Sequence, residues 1–176
     1  PTLNEAVVES GRDITGRDSG FILGSAVGSV LVGSEGADII FAADGADSMD
    51  GGAGADLLLG GGGADHLIGR ADDTLDGGSG NDVLDAEGPG SVTYVFRRGS
   101  GHDMWVASPF AEGGDRFQDR QQDVIRLEGL SPDDVELVWN WEEAPADGGD
   151  GRWAHVLREG EAFLRIKGTD DTLSLG

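Results

Sequence analysis

The chain has no cysteine, so disulfides, thiolate nucleophiles and cysteine-ligated zinc sites are all excluded. Basic residues are scarce: 12 Lys and Arg face 34 Asp and Glu, for a formal charge of −22 at pH 7. Such a field repels phosphate backbones and anionic lipid, which argues against nucleic acid and membrane surfaces as partners. Long apolar runs are missing too. The stretches at 21–23 and 39–43 fall far short of the roughly 20 residues that span a bilayer, so no stable membrane insertion is expected. The chain opens Pro1-Thr2-Leu3-Asn4-Glu5, with neither Met nor a basic-then-apolar leader, and reads as a piece of a longer protein. Catalytic signatures are absent: no HExxH helix, no GxSxG elbow and no phosphate-binding loop. His66, His102 and His155 are scattered, and carboxylate pairs of the glycosidase kind occur only among regularly repeating aspartates. The chain is not expected to be an enzyme.

What it has in abundance is glycine, 32 residues of it. Glycine with acid suits a disordered tail, but 38% of the residues are hydrophobic, too many for a plain solvated segment. Their placement is regular. Read in nines, the chain gives Gly33-Ser-Glu-Gly36-Ala-Asp38-Ile-Ile-Phe41, then Ala42-Ala-Asp44-Gly45-Ala-Asp47-Ser-Met-Asp50. Gly51-Gly52-Ala-Gly54-Ala-Asp56-Leu-Leu-Leu59 and Gly60-Gly61-Gly-Gly63-Ala-Asp65-His-Leu-Ile68 follow. An eight-residue unit, Gly69-Arg-Ala-Asp-Asp73-Thr-Leu-Asp76, precedes Gly77-Gly78-Ser-Gly80-Asn-Asp82-Val-Leu-Asp85. The aliphatic position recurs at Ile40, Met49, Leu58, Leu67, Leu75 and Leu84, and extends back to Leu31 and Ile22.

A period of nine fits neither an amphipathic helix nor a hairpin, and each glycine would cost a helix about 1 kcal/mol. Each unit predicts a six-residue turn and a three-residue strand whose middle side chain points inward. Two units make one coil. Stacked coils form two short, facing parallel sheets, an all-β solenoid with a thin aliphatic core. Gly20 and Ser29 stand where earlier units would carry Asp, so residues 1–32 are expected to form degenerate, metal-free turns or a cap.

Stacking has an electrostatic cost. Between 33 and 85 there are 12 acidic residues and one basic residue, Arg70. Coils about 4.8 Å apart would align Asp38, Asp56 and Asp73 on one edge, and Asp47, Asp65 and Asp82 on the other. Two carboxylates about 5 Å apart repel by about 3 kcal/mol at an effective dielectric of about 20. A hard dication between turns reverses that sign. Calcium accepts carboxylate and carbonyl oxygens in flexible geometry, whereas magnesium demands a tight octahedron and zinc prefers His or Cys.

The units at 51–59, 60–68 and 77–85 resemble the RTX (repeats-in-toxin) nonapeptide, G-G-x-G-x-D-x-U-x. The resemblance implies a right-handed parallel β-roll over 33–90 that holds several Ca2+ ions. It implies carboxylate ligands at Asp38, Asp47, Asp56, Asp65, Asp73 and Asp82. Carbonyl donors would be Gly33, Gly36, Gly45, Gly51, Gly52, Gly54, Gly60, Gly61, Gly63, Gly69, Gly77, Gly78 and Gly80. Asp44 would add a ligand where Ala42 and Ala43 replace the paired glycines, and the short turn at Gly69 would have altered geometry.

From Ser91 glycine thins and aromatics enter. Tyr94-Val-Phe96 and Gly99-Ser-Gly101-His-Asp103-Met-Trp105 resemble the segment that follows the last RTX turns, with Asp103 as a terminal ligand. Strands are predicted over 123–127, 153–158, 162–167 and 172–175, with a capped turn at 131–137 feeding another. Residues 91–176 would cap the solenoid, with Trp105, Trp139, Trp141 and Trp153 as the cap's core, and 142–152 would form an exposed hairpin tip. The resemblance implies a module of a larger bacterial protein that leaves the cell by a type I secretion machinery and folds on calcium outside, as a monomeric fragment. Alternatives are a ligand- or receptor-binding module of an adhesin or toxin, the C-terminal half of a secreted hydrolase, and a spacer.

Overall fold

The computed structural model describes residues 6–8, 19–88, 90–107, 123–139, 143–144, 154–155 and 162–175, with 6–8, 107, 139, 143–144 and 154–155 as backbone only. Trp141, Trp153 and most of 142–152 lie outside the described residues, as does the side chain of Trp139. The strands are β1 (Ala6–Val8), β2 (Phe21–Leu23), β3 (Val30–Val32), β4 (Ile39–Phe41), β5 (Ser48–Asp50) and β6 (Leu57–Gly63). They continue with β7 (His66–Gly69), β8 (Thr74–Gly80), β9 (Val83–Ala86), β10 (Thr93–Phe96), β11 (His102–Ala107) and β12 (Val124–Leu127). The last are β13 (Val135–Trp139), β14 (Glu143–Ala144), β15 (Ala154–His155), β16 (Ala162–Ile166) and β17 (Thr172–Leu175). Among the described residues the only helical element is a short 3-10 turn, Pro132–Asp134, and no helix is long and apolar enough to cross a membrane.

From β2 to β13 successive strands alternate between two sheets, one of seven strands ordered β1-β2-β4-β6-β8-β10-β12 and one of eight ordered β13-β16-β17-β11-β9-β7-β5-β3, while β14 and β15 pair with each other. The expected solenoid is therefore present. Register follows the nine-residue count: Ile22 pairs with Ile40, Ile40 with Leu58 and Leu58 with Leu75. Across the core, Leu31 pairs with Met49, Met49 with Leu67 and Leu67 with Leu84. All of these middle residues are buried, with their strand neighbours more exposed, so a single side chain per strand builds the core.

Where the period ends the stack continues with longer steps. Tyr94 pairs with Leu75 on one side and Ile125 on the other, while Trp105 pairs with Leu84 and Leu175. The rings of Tyr94 and Trp105 lie 5.1 Å apart across the core, in the range favoured by aromatic pairs. Beyond them β17 joins β11 in parallel, then β16 and β13 add antiparallel. A second cluster of Phe96, Ile166 and Leu173 fills that end. Val124 is exposed while Ile125 and Leu127 pack inward, as their alternation predicts. The turn at 131–134 is closed by Asp134, whose carboxylate accepts from the Ser131 N–H at 2.8 Å and hydroxyl at 2.7 Å.

The turns stack as closely as the strands. Gly80 has φ +144, and a Cβ placed there would lie 1.5 Å from the Gly63 carbonyl oxygen. Only glycine supplies both that conformation and that clearance.

Candidate metal centre

The turns lie on two edges. Edge I carries those running from the seven-stranded to the eight-stranded sheet, 42–47, 60–65 and 77–82; edge II carries the returning ones, 33–38, 51–56 and 69–73. The repeat Asp, sixth in the turn or fifth in the shortened one, immediately precedes the strand and is buried in all six. Each uses one oxygen in the same way. On edge II, Oδ1 of Asp38, Asp56 and Asp73 accepts from the backbone N–H of Gly20, Asp38 and Asp56, at 2.5, 2.7 and 2.8 Å. On edge I, Oδ1 of Asp47, Asp65 and Asp82 accepts from Ser29, Asp47 and Asp65, at 2.5, 2.9 and 2.9 Å. Asp103 extends edge I by accepting from the Asp82 N–H at 3.1 Å, and Asp123 extends edge II by accepting from Val92 at 2.8 Å. The repeat aspartate thus ties down a main-chain donor one coil away, a role the sequence reading did not assign to it. Gly20 and Ser29 can stand in the first coil because only their amides are needed there.

The second oxygen divides the turns. Oδ2 of Asp47, Asp56, Asp65 and Asp82 is buried with no hydrogen-bond partner. Oδ2 of Asp38 instead accepts from the Ser34 N–H at 2.6 Å and its hydroxyl at 2.9 Å, and Oδ2 of Asp73 accepts from the Arg70 N–H at 2.6 Å. The division follows the backbone at position two. Ala43, Gly52, Gly61 and Gly78 have φ of +81, +87, +104 and +97, and theirs are the four turns with a bare Oδ2. Ser34 and Arg70 do not have positive φ, and their amides close on the turn's own carboxylate. Four turns are open and two are self-closed.

In the open turns the bare oxygen lies over the first residue. A Cβ on Gly51, Gly60 or Gly77 would approach Oδ2 of Asp56, Asp65 or Asp82 to 2.7, 2.5 and 2.3 Å. Gly52, Gly61 and Gly78 approach the carbonyls of Ser34, Ala43 and Gly61 in the preceding coil. Position-four Gly54, Gly63 and Gly80 likewise rest on the carbonyls of Gly36, Gly45 and Gly63. The Cβ point at Gly60 also lies 2.4 Å from the Gly77 carbonyl oxygen of the next coil, so a main-chain oxygen and the bare Oδ2 of Asp65 share one space there. Among the described residues no three carboxylate or imidazole groups converge, so an ion here must draw on main-chain oxygens beside the aspartates. Such an all-oxygen set suits calcium.

Burial sets the charge state. It pushes Asp56 up to about 7, Asp82 up to about 6 and Asp103 up to about 8, with neighbouring carboxylates adding to the shift. Asp65 and Asp73 are raised for the same first reason. Without a cation, the fold penalises the charges that the sequence puts there.

A family model for the RTX calcium-binding nonapeptide repeat (4 copies) matches residues 32–67 and again residues 59–88. Residues 32–88 are RTX repeats. Repeats of this kind bind Ca2+ ions in multiple sites. No curated protein sequence matches the chain.

Several residues lie elsewhere than the sequence suggested. Asp44 is exposed at position three and pairs with Gly62 in the next coil. The Gly69 carbonyl accepts the Glu87 N–H at 2.8 Å, and the short turn at 69–73 is closed rather than open. The acidic block is also less bare of cations than its composition suggested, since Arg97 from beyond it forms a fork to Asp76 at 2.7 and 2.8 Å. The sequence reading missed Asp171. Against the effect of burial, the N–H groups of Gly99 and Gly101, at 2.9 and 3.0 Å, hold its carboxyl low. Its one signal was an acidic pair, Asp170-Asp171, beside a final strand.

Proposed function

We propose that this chain is a calcium-dependent folding module of a larger secreted protein, one that crosses the cell envelope unfolded by type I secretion and folds outside the cell. The observation that carries the reading is the set of four buried, unpartnered Oδ2 atoms at Asp47, Asp56, Asp65 and Asp82. A buried polar atom without a partner costs about 1–3 kcal/mol, and four in register oppose the fold. When bound, calcium supplies the positive charge that these oxygens lack. Asp47, Asp65 and Asp82, with Asp103 continuing the row, would hold ions along edge I, and Asp56 would hold one on edge II. Carbonyls at positions one, two and four of the open turns would complete the sets. Asp38 and Asp73, which the resemblance implied as ligands, contribute structure instead.

The magnitudes suit a switch. At tenfold excess over Kd each site adds about 1.4 kcal/mol, so four give about 6 kcal/mol, comparable to the stability of a small domain. Extracellular calcium modules have Kd of about 10⁻⁴–10⁻³ M, which leaves them empty in a calcium-poor cytosol. We divide the chain into an N-terminal metal-free cap (1–32), the calcium-binding β-roll (33–90) and a C-terminal capping segment (91–176). In this reading the chain is not an enzyme, and as a fragment it is monomeric. Trp105 packs against the core rather than offering a ligand platform.

Far-UV circular dichroism with tryptophan fluorescence tests this on chelated protein titrated with calcium, then magnesium. A cooperative gain of β signal with calcium alone, reversed by chelator, is expected. A fully folded spectrum without calcium overturns the reading.

A further inference from the structure

Edge II has its own cation. The Arg70 guanidinium reaches out of the shortened turn toward its neighbours. Nη1 donates to the Asp50 carboxylate and, at 3.1 Å, to the Gly52 carbonyl. Nη2 reaches the other Asp50 oxygen at 3.4 Å and Glu87 at 3.0 Å. Asp50 immediately precedes turn 51–56 and Gly52 lies within it, while Glu87 begins the next turn on this edge, so one side chain joins three successive coils. Against the effect of burial, the Arg70 hydrogen bond holds the Asp50 carboxyl below its usual range. The groups engaged are a carboxylate and a position-two carbonyl, the oxygen types that a calcium between turns 51–56 and 69–73 would use. The Arg70 backbone completes the closure by satisfying Asp73 Oδ2, while Asp56 N–H satisfies Asp73 Oδ1. Turn 69–73 therefore offers that junction no buried, unpartnered carboxylate oxygen, its other acid, Asp72, being exposed.

We propose that Arg70 is a tethered replacement for a calcium ion: its guanidinium neutralises and cross-links the junction between turns 51–56 and 69–73, which binds no metal. The inference rests on the calcium-dependent folding reading. A planar, permanently charged fork holding a carboxylate, a carbonyl and a second carboxylate suits this static role. The eight-residue unit is then not a decayed repeat. Deleting one turn residue and placing Arg at position two are two halves of one substitution, metal for side chain. The consequence is that this junction stays neutralised whatever the calcium concentration, and the remaining sites have one formed neighbour to build on.

The test uses the full chain, with ions counted by isothermal titration calorimetry and folding followed by circular dichroism. Two variants are compared with the parent. One is Arg70→Met. The other restores a nine-residue glycine turn, Arg70→Gly with one glycine inserted after Ala71. Arg70→Met is expected to bind the same number of ions as the parent, with its folding midpoint moved to about threefold higher calcium or more. The restored turn is expected to bind one additional ion. An unchanged midpoint in Arg70→Met, the loss of one ion from it, or no added ion in the restored turn overturns the proposal. If Arg70→Met does not fold in excess calcium, the ion count of the restored turn decides. A parent chain with no calcium-dependent transition instead sinks the folding reading itself, so the two failures are distinguishable.

Discussion

The two edges of the solenoid carry the same aspartate at the same turn position, yet only edge I presents an unbroken row of bare oxygens. Asp47, Asp65 and Asp82 follow one another there, whereas on edge II Asp56 stands between the self-closed turns of Asp38 and Asp73. The aspartate alone therefore does not decide whether a turn keeps a bare carboxylate oxygen. The deciding residue is the one at position two, where a left-handed backbone turns the amide away from the carboxylate. Glycine enters that conformation freely and Ala43 does so at a cost.

The heaviest blow to both edges alike comes from the stacking glycines. Gly80→Ala puts a methyl 1.5 Å from the Gly63 carbonyl at a φ of +144, and should cost about 3 kcal/mol or more. Circular dichroism should show no calcium-induced folding at concentrations that fold the parent; a midpoint near the parent's would mean that the coils can spread. Next comes a paired substitution that separates the edges. Asp65→Asn keeps an acceptor for the Asp47 amide but loses the charge beside an open turn, and should raise the calcium midpoint about tenfold. Asp38→Asn, in a closed turn, should leave the number of bound ions unchanged by calorimetry. Equal ion loss in both variants would erase the distinction between open and closed turns.

Acidity should act in opposite directions with and without metal. The folded, metal-free chain holds Asp56, Asp82 and Asp103 at about 7, 6 and 8, above the ordinary carboxylate value. It therefore binds more protons than the unfolded chain. The stability they contribute is fully present below the ordinary value and is lost as pH rises through about 6 to 8. In chelator, β signal should be stronger at pH 5 than at pH 8, while the calcium midpoint should fall over the same rise as protons cease to compete. A chelated chain better folded at pH 8 would contradict this. The smallest expected effect is Ala43→Gly, which relieves a left-handed alanine in an open turn and should stabilise the calcium-loaded fold by about 1 kcal/mol, read from thermal unfolding.

Much of this was legible in the sequence because a strict period converts position into height along the stack. Counting in nines was enough to place Ile40 over Leu58 and Asp47 over Asp65, since nothing but repetition decides those neighbours. The direction of an amide is not periodic. That Ser34 and Arg70 close their turns follows from a φ sign, for which the sequence offers only the hint of a non-glycine at position two, and Ala43 breaks even that rule. Past Ser91 the period stops, and pairing must be found by packing. The parallel docking of β17 on β11, and the service of Asp171 to Gly99 and Gly101, join residues about 70 positions apart.

Main-chain hydrogen bonds between coils run both ways, but those of the repeat aspartates run one way: each carboxylate in the two rows takes an amide of the coil before it. The stack thus has unlike ends. Cutting coils away from the N-terminal side strips amides from carboxylates, which water readily solvates. Cutting from the C-terminal side removes the acceptors and strands main-chain donors at the start of the last strands. A solenoid built this way can be lengthened or trimmed in evolution at its front while its rear stays fixed, as a zipper can be extended only away from its stop.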